Sequence, residues 1–453
     1  MIHNSQSNSE LISQLLNIPK FGKGIGLHRM DYLLNQPPIV PWISQVNAIK
    51  VTGSNGKGSV CNLVAAILQE AGFQVGLYTS PHLFRFNERI RVNGIEMSDR
   101  DLQVIGEWIL KTIANYEKCH ANDKCGAFEA FTAMALNYFA TCQVDAVVSE
   151  AGIGGRFDST RMIPGSTTAI TSLDLEHTQI LGSTLELIAF DKAELCPSEG
   201  TLVVGDIDSE VLRRLQVYCT LRKVQLIGIQ NACTVSKPRY LENQLVFDFQ
   251  YRDLNWENLH LKLLGSHQVN NAAVAIVLAE HWLRLEYPNL SRSKFESMVR
   301  CAFAKVSVPG RLQKVWEQPE IYVDVGHSPD AMKQLLDSVQ QLWKSEPILL
   351  VIGVSSDKDV ENILARFASI PDRLICTRAW HRGSPVNRIA NYLADMRPEL
   401  PIDTAETIQE AVAIALDLGI RHQMKVLVTG SSFVCAEFIQ VLKGENPQEI
   451  QFL

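Results

Sequence analysis

A glycine-rich segment with a single lysine lies between a short apolar run and a helical pattern, in the sequence Thr52-Gly-Ser-Asn-Gly-Lys-Gly-Ser59. Backbone N–H groups at a helix N-terminus bind anions, and the helix dipole strengthens that attraction. The glycines let the backbone approach a phosphate closely, and Lys57 supplies a positive charge for the β- and γ-phosphates. The segment therefore predicts nucleotide binding. It is shorter than the usual phosphate-loop motif, and by itself it could serve a kinase, an ATPase or a ligase.

Three polar residues come after short apolar runs that are typical of strands. They are Ser80, Glu150 and His177. Because ligand sites in α/β proteins form at the carboxyl ends of parallel strands, these side chains could converge on one Mg²⁺ beside the phosphates. Oxygen ligands are more usual than histidine on Mg²⁺, so the residues alone leave the role of His177 open.

One lysine has an unusual position in a helical stretch. Lys192 lies between Asp191 and Ala193 in the predicted helix 184–195. Spacing alone favours a surface lysine that pairs with a carboxylate such as Glu186. A catalytic interpretation of Lys192 needs an argument beyond spacing.

Apolar, β-rich runs alternate with helical patterns along the chain, which predicts doubly wound α/β sheets with buried parallel strands. The predicted strands are residues 48–52, 74–78, 145–149, 168–172, 322–325, 348–354, 374–377 and 425–429. The predicted helices are residues 58–71, 184–195, 269–285, 329–343, 385–393 and 407–418.

The pattern also predicts two domains. The segment Val306-Ser-Val-Pro-Gly310 breaks helical periodicity between two strand–helix series. We therefore expect one domain at residues 1–304 and a smaller one at 305–453. The less regular stretch between residues 201 and 260 indicates a further sheet appended to the first domain.

Composition excludes several classes of protein. The 453 residues carry 42 Lys and Arg against 49 Asp and Glu, a formal net charge of −7, which argues against a general nucleic-acid binder. The apolar fraction of 46% is too high for a disordered chain. The polar N-terminus lacks the pattern of a signal peptide, and no run is apolar enough to span a membrane. Ten cysteines without a Cys-x-x-Cys pair indicate reduced thiols in a cytoplasmic protein.

A series of motifs resembles the bifunctional folylpolyglutamate synthase/dihydrofolate synthase family, within the Mur-ligase superfamily. The resemblance extends from about Phe21 to about Leu442, and the number, order and spacing of the motifs argue against chance similarity. The motifs are Thr52–Ser59, Thr79-Ser-Pro-His-Leu83, Asn87-Glu-Arg-Ile90, Phe128-Glu-Ala-Phe-Thr132, Glu150-Ala-Gly-Ile-Gly-Gly-Arg-Phe-Asp158, His177 with Leu181-Gly182, Ile188-Ala-Phe-Asp-Lys-Ala193, His267-Gln-Val-Asn-Asn-Ala272, Pro309-Gly-Arg311, Asp324-Val-Gly-His-Ser-Pro329 and Asp357-Lys-Asp359.

The resemblance implies a phosphate-loop central domain of Mur-ligase type at 1–304 and a Rossmann-like glutamate ligase domain at 305–453. It implies ATP, two Mg²⁺ ions and a carbamate on Lys192 as cofactors. The implied ATP contacts are Gly53, Ser54, Asn55, Gly56, Lys57, Gly58, Ser59, Asn271, Arg311 and Asp324. The implied Mg²⁺ ligands are Ser80, Glu150 and His177. The implied substrate contacts are Phe128, Glu129, Arg156, Phe157, Asp158 and Ser159, and the implied catalytic residues are Lys57, Lys192 and His327.

The activity that the resemblance implies is ATP-dependent addition of L-glutamate to dihydropteroate, to folates, or to both, through an acyl phosphate. Such a protein is expected to be a monomer that acts on small molecules. Two departures from the family pattern concern the acceptor: Gly24 replaces an acidic residue, and Arg161 replaces an asparagine. They support an alternative, a paralogue that joins an amino acid to a different carboxylate. A non-catalytic regulator and a phosphotransferase are further alternatives, which the retained Lys57, Lys192 and second domain disfavour.

Overall fold

The described part of the chain folds around three β-sheets. A computed structural model describes residues 10–23, 26–344, 346–356, 360–367 and 371–451. Gly24 and the motif Asp357-Lys-Asp359 lie outside the described residues. The strands are β1 (Ile49–Thr52), β2 (Val75–Tyr78), β3 (Ile90–Val92), β4 (Ile95–Glu96), β5 (Ala146–Glu150), β6 (Thr167–Ile170), β7 (Thr201–Val204), β8 (Gln225–Gly228), β9 (Cys233–Val235), β10 (Arg239–Leu241), β11 (Gln244–Tyr251), β12 (Leu254–Leu261), β13 (Gln313–Trp316), β14 (Ile321–Val323), β15 (Ile348–Ile352), β16 (Arg373–Cys376), β17 (Ile402–Thr404) and β18 (Lys425–Thr429).

Helices cover the sheets and connect most of the strands. They are α1 (residues 10–16), α2 (His28–Leu34), α3 (Ile39–Ile43), α4 (Lys57–Glu70), α5 (Asp99–Cys119), α6 (Ala127–Cys142), α7 (Thr178–Leu181), α8 (Leu185–Ala193), α9 (Ser209–Leu221), α10 (Ile229–Ala232), α11 (Gln268–Glu286), α12 (Arg292–Lys305), α13 (Pro329–Trp343), α14 (Val360–Phe367), α15 (Val386–Met396), α16 (Ile408–Arg421) and α17 (Ser432–Leu442). Short 3₁₀ turns occupy Phe86–Arg89, Ser159–Met162 and Pro447–Glu449.

The first sheet has eight strands in the order β4-β3-β2-β5-β1-β6-β7-β8. Its strands are parallel from β2 to β8, and β3 and β4 add an antiparallel edge. The central strand β1 lies between β5 and β6. Chain order reverses there, so the carboxyl ends of β1, β5 and β6 surround a crevice of the kind in which α/β proteins bind ligands.

A second, four-stranded antiparallel sheet follows the first. Strand β11 pairs with β9, β10 and β12. Its inner face shares one apolar core with α4 and α11, through side chains such as Phe247, Leu259 and Ile276. The predicted appended sheet between residues 201 and 260 is present only in the second half of that stretch, because β7 and β8 belong to the first sheet. The appended sheet packs against the helix that begins at the phosphate loop.

The third sheet has six strands in the order β13-β14-β18-β15-β16-β17. Only β13 is antiparallel to its neighbour. The parallel sheets confirm the predicted α/β class. The first two sheets end at Leu261 and the third begins at Gln313, but the division of the chain at residues 304 and 305 stays a prediction.

Local sequence explains where the helices of the third sheet begin. The Ser328 side chain accepts a hydrogen bond from the Ala331 N–H (3.2 Å), and proline follows at the first helical position of α13. Thr407 and Glu410 form a capping box at the start of α16. Both helices begin within one residue of the predicted positions.

Two further findings bear on the composition arguments. All ten cysteines are free. In the described part of the chain, each helix falls short of the length or the apolarity that a bilayer crossing requires.

Candidate active site

The phosphate loop connects β1 to α4 and needs glycine at two positions. Gly56 has a φ of +85°, and a Cβ added there would lie 2.4 Å from Oδ1 of Asn271. Gly53 has a φ of +142°, and its Cβ would lie 2.0 Å from Oγ1 of Thr171. A side chain at either position would both strain the backbone and collide with a neighbour. The loop is therefore shaped by residues that lie far away in the sequence.

The end of β6 anchors the loop through two hydroxyl groups. Oγ1 of Thr171 donates to the carbonyl oxygen of Asn55 (2.5 Å). The hydroxyl of Ser172 accepts from the Asn55 N–H (2.9 Å), and the Asp174 N–H donates to Oγ of Ser54 (2.9 Å). Sequence reasoning missed Thr171 and Ser172 because it placed both inside the predicted strand 168–172, whereas the observed strand ends at Ile170.

Lys57 is half-buried at the first position of α4. Its ammonium donates to the carbonyl oxygens of Gly53 (2.8 Å) and Ser54 (3.1 Å). The charge therefore lies directly over the loop, within reach of an anion bound at the helix N-terminus. Ser59, in the first turn of the same helix, is buried.

Glu150 ends β5 inside the protein, beside the phosphate loop. Its Oε2 accepts a hydrogen bond from the Ser80 N–H (3.1 Å). Burial raises the pKa of Glu150, and the positive charges of Lys57 and Arg311 oppose that rise. The structure thus brings Ser80 and Glu150 together, as the sequence predicted, and surrounds the carboxylate with cations.

His177 lies on the exposed loop that follows β6, at the start of the short helix α7. Burial and the charges of Lys192 and Lys57 lower its pKa, although Glu176 acts in the opposite direction. A neutral imidazole is the form that binds metals. The charge of Lys57 acts on both His177 and Glu150, and of the three predicted metal ligands Ser80 and Glu150 are in direct contact.

Lys192 is buried, which excludes a surface position. Its Nζ donates to Oε1 of Glu176 (3.1 Å), not to Glu186, which instead lies 3.7 Å from a guanidinium nitrogen of Arg214. Burial and the charge of Lys57 lower the pKa of Lys192 to about 8, against the stabilising effect of Glu176. The spacing argument for a surface ion pair was wrong because α8 is covered on this side.

Asn271 approaches the phosphate loop from α11. It is buried, and its amide donates to Oε1 of Gln268 (2.9 Å). Two neighbouring polar atoms, Nδ1 of His267 and Nε2 of Gln268, are buried without a hydrogen-bond partner. Buried polar groups are normally paired, so these atoms mark a place where a polar ligand would be stabilised. The sequence indicated the motif but not the roles of His267 and Gln268.

Arg311 and Asp324 bring the C-terminal part of the chain to the same region. Burial raises the pKa of Glu150 and of Asp324, and the charge of Arg311 opposes both rises. Burial and the charge of Arg311 together lower the pKa of His267 to about 4. Asp324 is buried, and its carboxylate accepts from the N–H groups of Leu312 (2.9 Å) and Gly326 (2.8 Å). Asp324 therefore ties the residue that follows Arg311 to the loop that follows β14.

His327 lies on the exposed loop after β14. Its Nδ1 is 3.1 Å from the carbonyl oxygen of Val325. The structure supports its predicted position at the end of a strand in the third sheet.

Two aromatic side chains predicted to hold the acceptor differ in exposure. The Phe157 side chain is 53% exposed. Phe128 is half-buried, packs against the apolar core of the first sheet and lies 5.7 Å from the ring of Tyr78. Phe157 is therefore available for stacking on a planar ligand, whereas Phe128 also serves the core.

Asp158 and Glu129 are committed to the protein itself. The Asp158 carboxylate accepts from Gly152 N (2.8 Å), Ile153 N (3.1 Å), Thr160 N (3.0 Å) and Thr160 Oγ1 (2.5 Å). Those four donors occupy its acceptor positions, so its geometry favours holding the glycine-rich loop over binding a pterin. Glu129 caps α6 and forms an ion pair with the buried Arg29 (3.0 Å).

The remaining predicted acceptor residues also have protein partners. Oγ of Ser159 is 2.6 Å from Oγ1 of Thr132. The Arg156 backbone accepts from Arg161 (2.7 Å), and Arg161 pairs with Glu194 (3.2 Å). The charge of Arg161, the residue that departs from the family pattern, is therefore already paired within the protein.

Within the described residues, no group of three or more His, Cys, Asp or Glu side chains is placed to bind a metal ion. The donor chemistry beside the phosphate loop nevertheless suits Mg²⁺. A hard divalent cation takes few protein ligands, prefers oxygen and completes its shell with water and phosphate. Glu150 and Ser80 offer those oxygens where a phosphate would bind.

Comparisons with known proteins agree with this arrangement of fold and site. The family model described as Mur ligase middle domain matches residues 51–279, and the model described as Mur ligase, glutamate ligase domain, matches residues 310–432. The middle-domain match includes the phosphate loop and Lys192, and the glutamate-ligase-domain match begins one residue before Arg311. Fold and site thus define an ATP-dependent ligase of the Mur type.

Individual relatives show which family of Mur-type ligases this chain resembles. A dihydrofolate synthase/folylpolyglutamate synthase of Bacillus subtilis is 33% identical over 355 residues, 78% of this chain and 80% of the relative. A folylpolyglutamate synthase structure from Thermotoga maritima has 29% identity, a TM-score of 0.83 and 99% coverage of both chains. A Mycobacterium tuberculosis folylpolyglutamate synthase complexed with ADP and AMPPCP has 25% identity, a TM-score of 0.86 and coverage of 98% and 100%. The chain belongs to the dihydrofolate synthase/folylpolyglutamate synthase family.

Proposed function

We propose that this protein is an ATP- and Mg²⁺-dependent ligase that adds L-glutamate to dihydropteroate, to folyl(poly)glutamates, or to both, through an acyl phosphate. The observation that carries the proposal is the set of charged side chains around the phosphate loop. The Lys57 ammonium donates to the Gly53 carbonyl oxygen (2.8 Å), and Oε2 of Glu150 would lie 3.6 Å from a Cβ at Gly58. The buried Lys192 pairs with Glu176 (3.1 Å), and the charge of Lys57 acts on it. The relatives do not favour the alternative of a paralogue with a non-folate acceptor, since their names describe folate enzymes.

Charge control is the first physical requirement of the reaction. An anionic carboxylate must approach an anionic triphosphate, so positive charge has to surround the γ-phosphate. Lys57 lies over the loop, and Arg311 acts on Glu150 from the C-terminal side. Both cations can therefore stabilise the transferring phosphoryl group.

Ser80, Glu150 and His177 are the residues that would hold Mg²⁺. When bound there, the ion would neutralise phosphate charge and polarise the γ-phosphoryl group. The raised pKa of Glu150 indicates that this carboxylate gains from a nearby cation.

Lys192 has the properties that carbamate formation requires. The neutral amine attacks CO₂, the new N–C bond forms as one N–H proton is lost, and an anionic carbamate results. A pKa of about 8 leaves a far larger neutral fraction near pH 7.5 than an exposed lysine has. The modified side chain would present oxygen ligands beside Lys57.

The reaction then proceeds in two steps. An acceptor carboxylate oxygen attacks the γ-phosphorus and ADP leaves, giving an acyl phosphate. The amino nitrogen of L-glutamate attacks the acyl carbon, inorganic phosphate leaves, and the nitrogen loses a proton as the amide forms. Water would hydrolyse the intermediate, so closure of the part that carries Arg311 and His327 over the crevice protects it.

The acceptor side rests on fewer direct contacts. Phe157 is exposed for stacking, while Asp158, Glu129 and Ser159 maintain the surrounding loop and helix. We assign these three residues to the shape of the acceptor site. We assign His327 to the glutamate side of the crevice because it lies on a loop of the third sheet.

The test is a panel of acceptors assayed with ATP, Mg²⁺ and L-glutamate, with products identified by mass. We expect phosphate release to require both glutamate and dihydropteroate or a folate, and the product to gain one glutamyl residue. Phosphate release without glutamate would indicate a phosphotransferase or an ATPase. Nucleotide binding without turnover of any acceptor would indicate a regulator.

A further inference from the structure

The segment Ser80–Arg89, between β2 and β3, belongs to two apolar cores at once. Leu83 packs in the core of the third sheet together with Val434 and Ile450. Phe86 packs in a core of the first sheet, where its ring centroid is 4.9 Å from that of Phe131. The segment therefore connects the phosphate-binding part of the chain to the C-terminal part.

A residue near the C-terminus binds this segment at three points. The Gln451 N–H donates to the carbonyl oxygen of Phe84 (3.1 Å), and its Oε1 accepts from the Phe86 N–H (3.0 Å). Its carbonyl oxygen accepts from Nε2 of His82. Both backbone polar groups and the side-chain amide of Gln451 therefore form hydrogen bonds with residues 82–86.

His82 relays the contact to a buried arginine. Nε of Arg89 donates to Nδ1 of His82 (2.8 Å), which requires Nδ1 to accept and Nε2 to carry the proton given to Gln451. Arg89 is buried, with its guanidinium carbon 5.5 Å from the centre of the Phe131 ring. The contact of Gln451 is therefore continuous with the core behind the first sheet.

Hydrogen bonds within the segment hold its turn together. The Glu88 carboxylate accepts from the N–H groups of Leu83, Phe84 and Arg85, each at 2.7 Å. At its start, the Ser80 N–H donates to Glu150, beside the phosphate loop. The contacts of Gln451 and the contact of Ser80 with Glu150 therefore lie on one hydrogen-bonded segment.

We propose that Gln451 is a positioning residue for the ligase reaction: through the Ser80–Arg89 segment, it sets Ser80 beside Glu150 according to the position of the C-terminal part. The inference rests on the proposed function, and it extends that function to a residue far from the reacting atoms. Small misplacements of reacting groups are costly, so a residue of this kind affects turnover more than nucleotide affinity.

The experiment compares full-length Gln451→Ala, Gln451→Glu and Gln448→Ala with the wild type. Gln448 is an exposed glutamine on the adjacent 3₁₀ turn and is the matched control. Glutamate at 451 keeps an acceptor oxygen for the Phe86 N–H. The readouts are amide hydrogen exchange across residues 80–89 and in α4, affinity for ADP, and the separate kcat and KM values with ATP.

For Gln451→Ala, we expect amide exchange in residues 80–89 to quicken about fivefold while α4 is unchanged. We expect kcat to fall about tenfold with ADP affinity and the KM for ATP retained. Gln451→Glu should recover most of both effects, and Gln448→Ala should behave as wild type.

Unchanged exchange in residues 80–89 would overturn the proposal, as would faster exchange with an unchanged kcat. A uniform increase in exchange over the whole chain would also overturn it, because that result reports lower stability and not positioning. If the wild type itself shows no ligase activity, the proposed function fails, while the exchange data still report on the contact of Gln451.

Discussion

Two buried lysines near the first sheet, Lys50 and Lys192, have similarly lowered pKa values but different neighbours. Lys50 on β1 and Lys192 on α8 are 2% and 1% exposed, and burial lowers the pKa of each to about 8. Lys50 donates to the backbone carbonyl of Ile163 (3.3 Å). Lys192 donates to the carboxylate of Glu176 (3.1 Å), and the positive charge of Lys57 contributes to its lowered pKa.

The comparison shows that a lowered pKa does not by itself identify a lysine with a catalytic role. Burial alone is enough to make an amine largely neutral near physiological pH. Only Lys192 combines that property with a position beside the phosphate loop, whereas Lys50 lies near Cys196 and Arg161. A lowered pKa is therefore a weak guide to a reactive lysine unless its neighbours are considered.

The largest effect on activity should come from removing Lys57, the cation that lies near Lys192 but not near Lys50. We expect Lys57→Ala to lower kcat/KM for ligation about 10³-fold, because a charge beside the transferring phosphoryl group is lost. Removal of Lys57 should also raise the pKa of Lys192 and leave that of Lys50 unchanged. Steady-state phosphate release measures the first effect. Exposed Lys118→Ala is the control, and near-normal turnover of Lys57→Ala would rule out the phosphate-loop assignment.

Replacing each of the two buried lysines by methionine should affect kcat very differently. Lys192→Met should reduce kcat at least about 10²-fold, and added bicarbonate should not restore it, because the side chain that forms the carbamate is gone. Lys50→Met, equally buried, should keep kcat within about twofold. Equal losses in the two variants would mean that burial, not the neighbourhood of Lys57, decides the importance of each lysine.

Carbamate formation should also differ between them. We expect ¹³C-labelled bicarbonate to produce one carbamate NMR signal in the wild type and in Lys50→Met, and none in Lys192→Met. The signal should weaken as pH falls below about 8, because protonation removes the nucleophilic amine. A signal that survives in Lys192→Met would assign the modification elsewhere.

A smaller effect is expected on stability. The pKa of Lys50 is about 8 in the folded protein and 10.5 when unperturbed, so between those values the unfolded chain binds more protons. Stability due to this group therefore rises from pH 8 to 10.5. Lys50→Met should flatten that rise and raise the free energy of unfolding at pH 7 by up to about 3 kcal/mol, because it removes an ammonium whose burial is unfavourable. Urea unfolding at pH 7 and pH 9.5 measures both.

The smallest effect concerns Arg161, which lowers the pKa of Lys50 and pairs with Glu194. Arg161→Asn should leave the preference between dihydropteroate and folylpolyglutamates within about twofold of wild type, because an already paired surface charge contributes little. Binding measurements with both acceptors test this. A clear shift away from polyglutamylated acceptors would revive Arg161 as a substrate cation.

Local sequence patterns predicted the parts of the site that local structure determines. The phosphate loop follows from glycines between a strand and a helix, and Glu150 and Ser80 follow from their places after strands. Parallel pairing then brings those strand ends to one edge, as β1, β5 and β2 show. The antiparallel edge strands β3 and β4 are short, and no alternation in the sequence indicated them.

Tertiary contacts determine the features that the sequence pattern missed. The burial of Lys192 depends on Glu176, sixteen residues away, and the pairing of Arg161 depends on Glu194. The Asp158 carboxylate resembled a ligand contact, yet loop N–H groups saturate it. Helical spacing and residue type contain no information on which loop covers a side chain, so such partners emerge only from the folded chain.

The close approach of Asn271 to Gly56 has a consequence for synthesis of the protein. The nucleotide loop at residues 53–58 is shaped by a helix more than 200 positions later in the chain, α11. Helix α4, which begins in the loop, shares one apolar core with α11 and the four-stranded sheet. A nascent chain that ends before α11 therefore lacks a wall of the loop. We expect nucleotide-binding ability to arise late during translation, in a single cooperative event, once α11 has left the ribosome.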